Sequence, residues 1–220
     1  MFLSIYRNAI VKNSSIVIKE IVGSNNDIAL ITLNSPRTFN SLGKALMTEL
    51  EKLCKEAEND SLINCILLTS SSNKAFSQGA DIREISQYTH EKIVSEDFPK
   101  QWYFLSDIKK TKVALVNGIC FGGGLELAMM CDYILGTKQS SYALPEIKLG
   151  IIPGCGGTQR LPRKVGKSLA MEMILTGDKI TADEAHKAGL LTTILQSTPE
   201  KPLAEAIKYI ETNNIYNKYT

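Results

Sequence analysis

A run of glycines that leads directly into an apolar helical pattern constrains this fold more than any other feature of the sequence. Residues 118–126 read Gly-Ile-Cys-Phe-Gly-Gly-Gly-Leu-Glu, and the five residues after them are all apolar. Bare backbone at the start of a helix leaves N–H groups without helical acceptors, and the helix dipole adds partial positive charge there. The sequence therefore predicts a site for a developing negative charge, with Glu126 beside it on the first turn.

A second carboxylate and a second glycine-rich turn follow in the chain. Glu146 comes directly after Pro145, and residues 153–157 read Pro-Gly-Cys-Gly-Gly. Taken alone, each glutamate would be expected on the surface, the usual position of this residue type. However, both glutamates lie next to glycine-rich turns and within apolar stretches of the sequence. Donors for an oxyanion together with two carboxylates are the groups needed for proton transfer beside a carbonyl.

Composition limits the function classes. The 220 residues are 44% hydrophobic with a net charge of +2, which suits one globular domain and gives no support for binding nucleic acid or an anionic membrane. No apolar run reaches the ~18–20 residues of a membrane span. The five cysteines are scattered, which predicts reduced and buried thiols. With only two histidines, neither a histidine-based triad nor a zinc site is expected.

The N-terminus is free of acidic residues up to Glu20, and basic residues alternate there with apolar ones. This pattern fits a short mitochondrial presequence, and it fits equally an ordinary extension that leads into the first strand. Both interpretations remain open.

Alternating strand and helix patterns indicate an α/β domain. Strand patterns cover residues 16–21, 29–33, 63–69, 113–116 and 133–136, and helical patterns cover 41–58, 165–175 and 203–210. A Gly-Ser-Asn-Asn-Asp segment between the first two strands predicts a hairpin. Thr181 and Glu184 have the spacing of a capping box.

Two glycine-rich segments resemble nucleotide-binding motifs, but neither has the glycine spacing that such a motif requires. Gly166-Lys167-Ser168 resembles the end of a phosphate-binding loop, but Leu161 stands where the upstream glycine is required. The turn that begins at Gly154 lacks the third glycine of a dinucleotide fingerprint. Residues 75–84 alone indicate a loop before a helix, yet beside the glycine run they could supply a second oxyanion donor.

Four segments together resemble the enoyl-CoA hydratase/isomerase (crotonase) family, and in particular its mitochondrial short-chain hydratases. They are residues 33–40, 75–84, 116–131 and 145–161, and the likeness continues through 166–177 and 188–190. The resemblance implies a spiral of ββα units with a reduced C-terminal helical region. It divides the chain into an N-terminal extension over 1–15, a core over 16–195, and a short helix and tail over 196–220, with the family's lid helices largely absent.

The resemblance also implies roles for individual residues. The N–H groups of Ala80 and Gly123 would form an oxyanion hole for a thioester carbonyl, Glu126 and Glu146 would be the two catalytic acids, and Gly154 would help to place a water molecule. Bound coenzyme A would lie along a short segment and the oxyanion hole: Ala80, Asp81, Ile82, Arg83 and Gly123.

The resemblance implies hydration of trans-2-enoyl-CoA in fatty-acid β-oxidation, with an acyl-CoA thioester as the binding partner. Coenzyme A is then part of the substrate, and no metal or redox cofactor is expected. Two alternatives are a Δ3-Δ2 enoyl-CoA isomerase and a truncated, non-catalytic protein that binds acyl-CoA or a partner surface. A homo-oligomer, trimer or hexamer, in the mitochondrial matrix is expected, with the cytoplasm as the alternative location.

Overall fold

The computed structural model describes residues 15–89, 91, 102–196, 198 and 201–216. Nearly all of the predicted N-terminal extension (1–14) and the last four residues of the tail lie outside this part of the chain. None of the described helices is both long enough and apolar enough to span a membrane.

The strands, in chain order, are β1 Val17–Val22, β2 Ile28–Leu33, β3 Cys65–Ser70, β4 Ala75–Ser77, β5 Thr111–Val116, β6 Ile119–Phe121, β7 Tyr133–Thr137, β8 Ser141–Ala143, β9 Ile180–Thr181 and β10 Thr193–Leu195. The α-helices are α1 Lys44–Asn59, α2 Ile82–Ile85, α3 Phe104–Asp107, α4 Gly123–Met129, α5 Gly157–Val165, α6 Lys167–Thr176, α7 Ala182–Lys187 and α8 Pro202–Thr212. Two 3₁₀ turns cover Pro36–Thr38 and Pro145–Leu149.

The chain forms two sheets and adds strands to both of them as it proceeds. The larger has the order β1-β2-β3-β5-β7-β10, and the smaller has the order β4-β6-β8-β9. Strands β3, β5 and β7 are each followed at once by a short strand of the smaller sheet, and helices follow that short strand. Each repeat therefore adds one strand to each sheet, which confirms the predicted α/β spiral of ββα units. The predicted hairpin is also confirmed, since β1 and β2 pair antiparallel.

The large sheet is buried on both faces. Ile28 and Leu30 of β2 point into one apolar cluster, while Ala29 and Ile31 point into the other. This period of two is the geometry of a strand with apolar residues on both sides. Helix α8 covers the first face through Ala206 and Ile210, and α1 packs on the second. All five cysteines are buried and free, as the sequence predicts.

Local predictions hold where signals are strong and fail where segments are short. The capping box of Thr181 and Glu184 is present at the start of α7. Strand β5 does not run directly into the glycine turn as expected, because the three-residue β6 intervenes. Helix α5 is missed by sequence reasoning because it contains Pro162, a residue that normally interrupts helices. The helix predicted from residue 165 begins at Lys167 instead, since Gly166 separates α6 from α5.

Candidate active site

The residues singled out from the sequence line one cavity of about 360 Å³. The two glycine-rich turns approach it from different parts of the chain, and the segment after β4 closes a third side. Among the lining residues are Ala80, Asp81, Ile82, Arg83, Gly123, Glu126, Glu146 and Gly154. The structure therefore brings all of the candidate site residues to one place, although their roles remain predictions.

Two amide nitrogens proposed as oxyanion donors lie close together. A Cβ atom built on Gly123 would be 3.4 Å from the Ala80 nitrogen, and one built on Gly79 would be 3.0 Å from the Gly123 nitrogen. Gly123 is the first residue of α4, so its N–H has no acceptor within the helix. The Ala80 segment is anchored by Leu42, whose N–H donates to the Gly79 carbonyl at 2.8 Å.

Glycine is required at two positions of this first turn. Gly122 has a φ of 52°, in the left-handed region that favours glycine. At Gly123 a Cβ would lie 2.8 Å from the indole ring of Trp102, which is 2% exposed. Any side chain at position 123 would therefore displace either the ring or the amide.

Glu126 is a buried carboxylate with its own backbone donors. The side chain is 2% exposed, and its Oε1 accepts N–H groups from Cys155 and Gly157, each at 2.7 Å. Burial raises the pKa of Glu126, while these two hydrogen bonds and the nearby Arg160 guanidinium oppose that rise. The second glycine-rich turn thus supplies donors that favour the ionised form of Glu126.

Glu146 has a different environment. It lies on the 3₁₀ turn Pro145–Leu149, and its Oε2 atom is buried with no hydrogen-bond partner among the described residues. Burial raises the pKa of Glu146 to about 7, and the charge of Glu126 contributes to the rise. Ionisation of an unpartnered buried oxygen is costly, so Glu146 keeps its proton to a higher pH than an ordinary glutamate. The two carboxyls of the cavity therefore differ in their hydrogen bonding: Glu126 accepts two backbone N–H groups, and Glu146 has a buried oxygen that accepts none among the described residues.

The remaining candidate residues form one rim of the cavity. Asp81 caps α2 by accepting the Arg83 N–H at 3.0 Å, which fixes the direction of the segment. The side chain of Arg83 is largely exposed, and Ile82 is 47% exposed. The rim thus combines an apolar side chain with a solvent-accessible cation.

Some participants were not identified from the sequence. The turn over residues 153–157 was recognised as bare backbone, but Glu126 lies 29 and 31 residues before the two amides that bind it, and no local pattern pairs them. Trp102, which covers the first turn, carried no sequence signal either. Gly154 contributes a carbonyl that accepts from the Tyr103 hydroxyl at 3.4 Å, in addition to lining the cavity.

Comparison with known sequences agrees with this geometry. The sequence profile of enoyl-CoA hydratase/isomerase matches residues 23–215. The chain is 49% identical over 182 residues to a mitochondrial enoyl-CoA hydratase of Pongo abelii, an alignment that covers 83% of this chain and 62% of that protein. It is 45% identical over 193 residues to a probable mitochondrial enoyl-CoA hydratase of Dictyostelium discoideum, covering 88% and 69% of the two chains. The chain thus spans slightly less than two thirds of the length of the first of these relatives.

Solved structures share the fold. An enoyl-CoA hydratase from Bacillus anthracis superposes with a TM-score of 0.81 at 32% identity, covering 90% of this chain and 78% of that one. A structure from Geobacillus kaustophilus superposes with a TM-score of 0.84 at 28% identity, covering 93% and 76%. With the sequence profile matched over most of its length, the chain belongs to the enoyl-CoA hydratase/isomerase family.

Proposed function

We propose that this protein hydrates trans-2-enoyl-CoA thioesters to 3-hydroxyacyl-CoA, using Glu126 and Glu146 as a base and an acid. The observation that carries the proposal is the contrast between these two carboxyls in one cavity. Glu126 accepts two backbone N–H groups, whereas Glu146 has a buried oxygen without a partner and a pKa of about 7. Pairs whose environments separate their pKa values supply acid and base together at one pH.

In the proposed reaction, water lies between the two carboxyls, with the Gly154 backbone helping to place it. Glu126 accepts one proton from this water while the water oxygen forms a bond to the β-carbon. The π electrons of the carbon–carbon double bond then move towards the thioester oxygen. Glu146 then donates its proton to the α-carbon, which restores the carbonyl. The hydroxyl group and the proton are both delivered from the side of the glutamates, so the addition is syn. Transfer of the proton from Glu126 to Glu146, directly or through solvent, resets the pair.

The oxyanion hole would stabilise the charge that collects on the thioester oxygen. The amides of Ala80 and Gly123 lie close together at the cavity. In a site shielded from water, loss of one such donor costs about 3–4 kcal/mol of transition-state stabilisation. Two fixed amides therefore supply a large part of the activation that enoyl hydration needs.

Coenzyme A would extend along the rim formed by Ala80, Asp81, Ile82 and Arg83. Ile82 offers an exposed apolar surface there, and Arg83 offers a largely exposed cation to the phosphate groups. In this proposal coenzyme A is part of the substrate, and no metal or further cofactor takes part in the reaction.

Hydration of crotonyl-CoA by the purified chain tests the proposal, followed by loss of the enoyl thioester absorbance. We expect turnover by the wild-type protein and a large loss in the Glu146→Gln variant, which keeps size and hydrogen bonding but cannot transfer a proton. A wild-type protein that binds acyl-CoA without turnover, indistinguishable from this variant, would favour the non-catalytic alternative. Turnover of a 3-enoyl-CoA without hydration would favour the isomerase.

We further propose action in fatty-acid β-oxidation in the mitochondrial matrix, as a trimer or hexamer. The location is supported by mitochondrial relatives and by the acid-free N-terminus, although bacterial relatives exist as well. Residues 1–14 fused to a fluorescent reporter should direct it to mitochondria, and a reporter that stays in the cytosol would contradict the location. Light scattering of the purified protein measures its assembly.

A further inference from the structure

The second glycine-rich turn is bound by one cationic side chain that the proposed chemistry does not use. Arg160 lies on α5, the helix that begins directly after this turn. Its Nη1 donates to the Cys155 carbonyl at 2.8 Å, and its Nη2 donates to the Ser106 hydroxyl at 3.0 Å. The guanidinium therefore links the turn to α3, a segment more than 45 residues earlier in the chain.

Tyr103 completes this arrangement. The Arg160 guanidinium carbon lies 5.8 Å from the centroid of the Tyr103 ring, within the range of a cation–π contact. The Tyr103 hydroxyl donates to the Gly154 carbonyl at 3.4 Å. That carbonyl and the Cys155 N–H belong to one planar trans peptide unit, in which they point in opposite directions. Binding the carbonyl therefore aims the N–H at Glu126, which accepts it.

The turn has the shape needed to admit the guanidinium. Gly156 has a φ of 94°, and a Cβ atom built there would lie 1.9 Å from the Arg160 Nη1 atom. The guanidinium thus fills the space that a side chain at position 156 would occupy. The position of the Arg160 guanidinium therefore depends on glycine at position 156.

We propose that Arg160 is a positioning residue for Glu126: it fixes the turn whose amides bind this carboxylate and places a positive charge beside it. This inference rests on the proposed hydratase function. Among the other described groups near Glu126, burial and the charge of Glu126 raise the pKa of Glu146, and burial raises the pKa values of Cys155 and Tyr103, which keeps both neutral. Arg160 is the cation that favours the ionised form of Glu126.

Two substitutions separate charge from geometry. Arg160→Met removes both, whereas Arg160→Lys keeps a charge but cannot bind two acceptors with a planar fork. Arg163→Met is the matched control, since Arg163 lies on the same helix, is exposed, and donates to Gln159, one turn away on that helix. Each full-length variant is measured in three ways: thermal unfolding, ¹³C NMR titration of the Glu126 carboxyl assigned with Glu126→Gln, and the pH dependence of crotonyl-CoA hydration.

For Arg160→Met we expect the NMR pKa of Glu126 to rise and the acid limb of kcat/KM to move to higher pH. A turn that loses its fixed position should also lower kcat by about 10–100-fold, with a smaller change in KM. Arg160→Lys should retain most of the wild-type titration while kcat stays reduced. Arg163→Met should match the wild type in all three measurements.

An Arg160→Met protein that is folded and shows an unchanged Glu126 titration would overturn the inference. So would a loss of activity that only follows lowered thermal stability, with the pH profile intact. If the wild-type chain does not hydrate crotonyl-CoA, the proposed function fails instead, and the NMR titration still decides whether Arg160 controls Glu126.

Discussion

The two glycine-rich turns look alike in sequence but are used differently. The first, residues 122–124, lies against Trp102, and its Gly123 lines the cavity beside the Ala80 nitrogen, where the substrate oxygen is expected. The second, residues 154–157, uses the amides of Cys155 and Gly157 to bind the protein's own Glu126. In the proposed function one turn binds the substrate and the other holds a catalytic group, so substitutions in the two turns should have different consequences.

The largest effects are expected at the carboxyls that the turns surround. Glu126→Gln and Glu146→Gln should each lower kcat by about 10²–10⁴-fold, the usual contribution of a positioned proton-transfer group. In the proposed mechanism the two glutamates act as one unit, so the double variant should lose little more than either single variant. Steady-state kinetics of the four proteins measures this, with acyl-CoA affinity as the control for binding. Fully multiplicative losses would show that the two act independently.

A pair of alanine substitutions compares the turns directly. Gly123→Ala places a methyl group 2.8 Å from the Trp102 ring and should displace an oxyanion donor, with a loss in kcat of about 10²–10³-fold. Gly154→Ala keeps its N–H and meets nothing within 4 Å, so kcat should change by less than about threefold. Both are measured by crotonyl-CoA hydration. Equal losses in the two variants would remove the distinction drawn between the turns.

The sequence predicted the parts of this site that depend on local composition. Patterns within a few residues of sequence are enough to indicate the long apolar strands, the two glutamates and the two glycine-rich turns. The strands of the smaller sheet were missed because three residues are too few to show a period. The partners of Glu126 and the missing partner of Glu146 depend on contacts between distant segments, which one sequence does not display.

The difference between the two carboxyls also predicts a pH effect. In the proposed mechanism Glu146 donates a proton, so kcat/KM should fall as pH rises through about 7. Because the native state binds this proton more tightly than the unfolded chain, stability falls as pH rises from about 4.5 to about 7. Glu146→Gln should remove that loss, which is ~1–2 kcal/mol once partial exposure is allowed for.

Urea unfolding at pH 5 and pH 8 measures this effect, with the exposed Glu172→Gln as the control. We expect Glu146→Gln to be more stable than the wild type at pH 8 and no more stable at pH 5. A variant that is equally stable at pH 8 would mean that Glu146 ionises there without cost, and the proposed acid would lose its physical basis.

The smallest effect is expected away from both turns, at the capping box of α7. The Thr181 hydroxyl accepts the Glu184 N–H at 3.3 Å, and the Glu184 carboxylate accepts the Thr181 N–H at 2.7 Å. The Thr181 hydroxyl also donates to the Glu184 carboxylate at 2.8 Å. Thr181→Ala removes both hydrogen bonds of this hydroxyl and should lower the free energy of unfolding by about 1 kcal/mol, with Thr181→Ser restoring most of it. Because neither residue lines the cavity, kcat for crotonyl-CoA and the pH profile should equal those of the wild type. A change in the pH profile of Thr181→Ala would show that α7 influences the carboxyl pair, and the turns alone would then not account for the difference between Glu126 and Glu146.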